Sequence, residues 1–261
     1  MRRPEFWLGA VLTAFAVLIG VAIWRAPAQS HTVASARVAL HAAENDESGS
    51  TLARVRRSAL PPPPPPDYAR TASLLAEAKG VTYLDEILVA RAGHVARWEN
   101  RRDTPVTVWI QSRPGLADYW PDFRNRARDA FYTWAAAGIP LRFRFTEDST
   151  AAEVRVRWVH SFSEASGKTY WARDQHWWIV DADIELAIHQ PNGQALDGEA
   201  VRTIALHEVG HLIGLDHSAN PDNIMAAHVH VTNLSAEDLR TASVIYRLPP
   251  GSVTPPRGTK E

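Results

Sequence analysis

No cysteine occurs among the 261 residues. Disulfide frameworks, thiol nucleophiles, iron–sulfur clusters and cysteine-built zinc sites are thereby excluded, and any metal has to be held by His, Asp or Glu. A cysteine-free chain also tolerates an oxidising compartment without depending on one. Excess charge is missing too: 28 Lys and Arg stand against 29 Asp and Glu, a net charge of −1. Such a chain has no field to gather a polyanion, so no nucleic-acid partner is expected. No internal repeat is visible. What the chain does have is eleven histidines, in a composition of 45% hydrophobic and 22% charged residues. Those proportions are ordinary for a folded domain with a sizeable core.

Charge is absent from residues 6–24. As a helix this run would span about 28 Å at about 1.5 Å per residue, close to the hydrocarbon thickness of a bilayer. Arg2 and Arg3 precede it and Arg25 closes it, which favours a cytoplasmic N-terminus and export of the residues beyond Arg25. Residues 1–28 therefore read as a signal anchor, giving a single-pass membrane protein, or as a signal peptide cut after Ala26-Pro27-Ala28, giving a secreted one. Residues 29–66 read as a disordered, Pro-rich linker. Its last part, residues 61–66, is all proline, a polyproline II spacer of roughly 19 Å.

From Asp67 the texture changes. Residues 67–104 form an N-terminal extension, either a pro-segment or the start of the folded domain, with a short helix over 68–79. Val106, Val108 and Ile110 alternate as a strand over 105–110. Trp120, Phe123, Ala127, Ala130, Phe131 and Trp134 make one apolar stripe of a helix, with Pro121 in its first turn and Gly138 at its stop. Strands come next over 141–145, 154–159 and 180–188. In the last of these, Val180, Ala182, Ile184, Leu186 and Ile188 share a face opposite Asp181, Asp183 and Glu185, which predicts one buried and one wet side. A helix over 197–214 opens on Asp197 as N-cap. A final helix over 235–247 opens on Ser235-Ala236-Glu237-Asp238, a capping box with Asp in place of Glu. Residues 250–261 are a loose tail.

The chemistry lies in His207-Glu208-Val209-Gly210-His211-Leu212-Ile213-Gly214-Leu215-Asp216-His217. His207 and His211 are one helical turn apart and point the same way, so two imidazoles can share one tetrahedral zinc. On a continuous helix His217 would lie about 15 Å beyond His207, out of reach of the same ion. The chain must turn back, and Gly214 is the residue suited to end the helix in a left-handed conformation. Three histidine ligands leave a fourth position for water, as catalytic rather than structural zinc sites do. Glu208, 100° round the helix from His207, reaches that water without ligating the metal and is the candidate general base and acid.

This stretch resembles the extended zinc motif of the metzincin metallopeptidases, H-E-x-x-H-x-x-G-x-x-H. Ser218, together with Pro221-Asp222-Asn223-Ile224-Met225, resembles the matrixin branch, of bacterial type. The resemblance implies an α+β fold over residues 105–249: a mixed twisted sheet, an active-site helix, a Met-turn at Met225 and a C-terminal helix. It implies a zinc endopeptidase acting on extracytoplasmic protein or peptide substrates in extended conformation, with zinc on His207, His211 and His217. By the same resemblance, the 180–188 strand would be the antiparallel edge strand above the cleft, and residues 226–232 would line a substrate pocket. Ala226 and Ala227 replace the bulky Tyr-Pro pair of many matrixins. A pro-segment cysteine cannot cap the zinc here, and Asp67 or Asp85 is the open alternative. The family's second, structural zinc uses H-x-D plus further histidines; His160, Asp174, His176, Asp181, Asp183 and His189 lie in the right region, but none forms H-x-D. His228 and His230 read as surface or pocket residues, and Trp158, Trp171, Trp177 and Trp178 as core or rim. A zinc amidohydrolase on cell-wall or small amides, and a non-catalytic binding module on the same fold, are the alternatives. The oligomeric state is open.

Overall fold

The computed structural model describes residue 60 and residues 62–255. The apolar run at 6–24, most of the linker and the end of the tail lie outside the described residues. Within them no helix is long and apolar enough to cross a membrane.

The elements run α1 (Tyr68–Ala78), α2 (Leu84–Ala90), β1 (His94–Val95), β2 (Arg101–Ile110), α3 (Phe123–Ala135), β3 (Leu141–Thr146), β4 (Val154–Val159), β5 (Gly167–Arg173), β6 (Ile179–Ala187), α4 (Gly198–Leu212), α5 (Ala236–Arg247) and β7 (Gly251–Ser252). Five strands make one mixed sheet in the order β3-β2-β4-β6-β5, parallel except for β5, which runs antiparallel to β6 at the edge. A separate two-stranded ladder pairs β1 with β7. The alternation read from the sequence puts Val106, Val108, Ile110, Val154, Val156, Ala182, Ile184 and Leu186 in the core. Helices α3 and α4 pack against each other on the sheet, α4 over β5 and β6 and α3 over β2 and β3. Trp134 fixes their contact: its ring is fully buried and its Nε1 donates to the Leu206 carbonyl at 2.8 Å. That bond spares the ring the cost of burying its single polar atom unpaired.

Three expectations need correction. Strand β6 is not the edge strand: it lies inside the sheet between β4 and β5. Its Asp181 is buried and its Asp183 half-buried, because Arg155 of the neighbouring strand pairs with both and Arg157 pairs with Asp183. Carboxylates beside a guanidinium look like a fully wet face in the sequence, yet here they are neutralised in place. The antiparallel edge is β5, which the sequence did not reveal; the other edge, β3, is parallel to its neighbour. Trp120 stands outside α3 and is 54% exposed, packed edge-on against Phe123 rather than joining the buried stripe.

Candidate metal centre

Helix α4 begins where expected, with Asp197 accepting from the Ala200 N–H at 2.8 Å. Thirteen of its 15 residues are buried, so its polar side chains must be satisfied from within. It ends at Leu212, and Gly214 then takes φ +103. A Cβ there would overlap the Ala96 carbonyl as well as strain the backbone. This reversal brings His217 back to His207 and His211. The ligating nitrogens of all three lie within 4.8 Å of one another, and the ring centroids are 4.7, 5.3 and 4.9 Å apart.

Each helix histidine is oriented from behind. His207 Nδ1 donates to the Ile224 carbonyl at 2.7 Å and His211 Nδ1 to the Leu215 carbonyl at 3.3 Å. With both protons fixed there, the two Nε2 lone pairs face each other 3.0 Å apart. Burial, with the His217 ring second, pushes His207 down to about 3, and His211 is likewise held well below the usual histidine value. Neutral imidazoles turned lone pair to lone pair repel unless a cation sits between them. Nitrogen donors in a tetrahedral-capable triad are what zinc prefers, so the residues fit the metal the sequence implies.

The turn at Met225, the candidate Met-turn, supports His207. Met225 is fully buried, and a Cβ on Gly210 would overlap its Sδ. Asp238 accepts from the Ile224 N–H at 2.9 Å while closing the capping box of α5 with Ser235, and the Tyr83 hydroxyl donates to its other oxygen at 3.0 Å. One carboxylate therefore caps a helix and fixes the peptide that orients His207. Only the capping role was visible in the sequence.

Glu208 is buried beside the triad. Its Oε2 accepts from the Thr169 hydroxyl at 2.7 Å, and Oε1 has no protein partner. Burial pushes the carboxyl up to about 8, with the Thr169 hydrogen bond pulling the other way. A cation in the neighbouring triad would draw that value down. Gly167 leaves the room it occupies: a Cβ there would stand 2.6 Å from Oε1. Gly167 and Thr169, both on β5, were missed by the sequence reading; alternating small and polar residues ending in Trp171 were the available signal.

The other sequence candidates do not assemble. Among the described residues the triad is the one group able to hold a metal. Asp181 and Asp183 are engaged by arginine, Asp174 accepts from the backbone of His176 and Trp178, and His160 stacks on His189. His228 and His230 are exposed, while Trp158, Trp171 and Trp178 are core. Asp67 caps α1 and Asp85 is exposed on α2.

Comparison with known proteins agrees with this geometry. The family model described as Matrixin matches residues 97–247. Metalloendoproteinase 2-MMP of Arabidopsis thaliana is 32% identical over 185 residues, 63% of this chain and 47% of its own length. Metalloendoproteinase 4-MMP of the same plant is 31% identical over 150 residues, 49% of this chain and 40% of its own. Metalloendoproteinase 1 of Glycine max is 24% identical over 176 residues, 59% of this chain and 54% of its own. The chain spans about half the length of these curated relatives. It belongs to the matrixin family of zinc-dependent metalloendopeptidases, within the metzincins.

Proposed function

We propose that this protein is a zinc-dependent endopeptidase in which His207, His211 and His217 hold the metal and Glu208 is general base and then general acid. The observation that carries this reading is Glu208 itself: a buried carboxylate with Oε2 tied to Thr169 and Oε1 unengaged, beside a converging histidine triad. A pure binding platform has no use for that carboxylate. When bound, zinc supplies a Lewis acid that polarises a carbonyl and lowers the pKa of water. The chain's own residues supply the rest. Oε1 takes a proton from the attacking water and returns it to the leaving amine, while Thr169 keeps the carboxylate from rotating. Strand β5 lies at the sheet edge, with no partner strand on its outer side among the described residues. A substrate peptide in extended form adds to that edge as a further strand, which favours an endopeptidase over a small-amide hydrolase. Action outside the cytoplasm rests on the apolar run at 6–24 with its flanking arginines.

Glu208→Ala tests the assignment. The variant is expected to keep its zinc and lose peptide cleavage by at least about 100-fold, the usual share of a positioned general base. Activity within tenfold of wild type removes Glu208 from the role.

A further inference from the structure

The last turn of α4 carries a problem that every helix end carries: its final carbonyls have no partner within the helix. Here the Val209, Gly210 and His211 carbonyls are met by the backbone N–H groups of Ile213, Leu215 and Gly214, and the carbonyls that follow, from Leu212 through the reversal, are met by side chains from elsewhere. Trp98 Nε1 donates to Leu212, the Tyr246 hydroxyl to Ile213, Arg91 Nη1 to Gly214 and Arg91 Nη2 to Leu215, at 2.9, 3.0, 2.7 and 2.9 Å. Arg91 thus takes two consecutive carbonyls of the reversal that delivers His217. Its Nη2 also pairs with Asp216 at 3.4 Å, and its guanidinium lies over the Trp171 ring of β5. The Leu215 carbonyl is the same atom that orients His211. Five residues earlier, Glu86 accepts from the Ala219 N–H at 2.7 Å, just beyond His217. The two ends of the 214–219 turn are therefore gripped by one short helix, α2, and its C-cap residue: a planar donor from Arg91 on one side and the Glu86 carboxylate on the other. Both residues precede residue 97, where the matrixin match begins.

We infer that α2 is a clamp for the metal centre, with Arg91 and Glu86 as positioning residues that hold the turn bearing His217 and the carbonyl behind His211. The inference rests on the reading that the triad binds zinc. Its physical basis is that ligand geometry, not ligand identity alone, sets metal affinity, and groups behind the ligands set that geometry. It also decides between two readings of residues 67–104. A removable pro-segment has to leave without dismantling the site, whereas α2 supplies part of its wall and so belongs to the catalytic domain.

The test uses the full chain with Arg91→Gln, Arg91→Lys and Glu86→Ala. Zinc affinity is measured by chelator competition, and backbone hydrogen exchange is followed in the metal-free protein. Arg91→Gln is expected to weaken zinc binding by about 10- to 100-fold and Glu86→Ala by about fivefold, the value of one hydrogen bond. Arg91→Lys recovers only part, because one ammonium cannot reproduce the fork that spans two carbonyls and a carboxylate. In the metal-free variants the amides of residues 215–219 exchange faster, while those of β4 are unchanged. Wild-type affinity and wild-type exchange in Arg91→Gln overturn the inference. Should Arg91→Gln fail to fold, Glu86→Ala decides alone, since its side chain is at the surface: unchanged affinity and exchange there overturn it equally. A wild type that binds zinc but cleaves no peptide defeats the proposed function and leaves the clamp standing. A cleaving wild type with indifferent variants defeats only the clamp.

Discussion

Glu208 has two oxygens with different fates, and the difference comes from two small residues on a facing strand. Thr169 holds Oε2, and Gly167 provides the space beside Oε1. Gly167→Ala puts a methyl carbon 2.6 Å from Oε1, well inside contact distance, so the carboxylate has to move. A displacement of that order typically costs about 100-fold in rate. The variant is expected to lose roughly that much in kcat/KM while zinc affinity stays near wild type. Near-wild-type turnover would show that Oε1 is not where the proton is handled. Thr169 and Gly167 escaped the sequence reading for the same reason they matter: a strand that turns glycine and threonine inward shows no apolar alternation, and those residues face inward because a carboxylate occupies the space.

At the scale of elements, legibility followed the physics of each signal. Helices α4 and α5 were plain because their caps are local: Asp197 and Ser235 each bond to a backbone N–H three residues on. Strands β2, β3 and β4 were plain because their apolar residues alternate. The seven-residue α2 was not, being too short for a helical period, although Leu84 and Ile87 bury one side of it. The position of β6 was misread because its acidic residues need Arg155, which only the sheet register brings alongside. That pairing predicts a pH dependence. Burial alone would raise the Asp183 carboxyl, but hydrogen bonds and charge from Arg155 and Arg157 outweigh it and leave it below the usual carboxylate value. A group depressed in the folded state stabilises the fold above its unfolded pKa and loses that contribution as pH falls through its folded value. The gap in urea midpoint between wild type and Asp183→Asn is therefore expected to hold from about pH 7 to about pH 5 and to close below about pH 4. A gap that persists unchanged at about pH 2.5 would mean the pairing contributes nothing through ionisation.

For the whole molecule, the metal and the fold are one equilibrium. The triad draws on α4 and the turn after it, the carbonyls behind its rings come from that turn and the Met-turn, and Asp238 of α5 anchors the Met-turn. A ligand that binds only this assembled state stabilises it by mass action, by about 4 kcal/mol at a thousand times its dissociation constant. In a domain of this size that corresponds to a rise in Tm of roughly 8–16 °C. Chelation is expected to reverse the rise and zinc to restore it; a Tm indifferent to chelator would separate the site from the fold. The central claim, three imidazoles around one zinc, is tested most directly by zinc-edge X-ray absorption on the purified full chain and on His217→Ala. The account predicts one zinc per chain with three imidazole nitrogens at about 2.0–2.1 Å, and loss of most of the metal in the variant. Full occupancy with an unchanged imidazole shell in His217→Ala would contradict it.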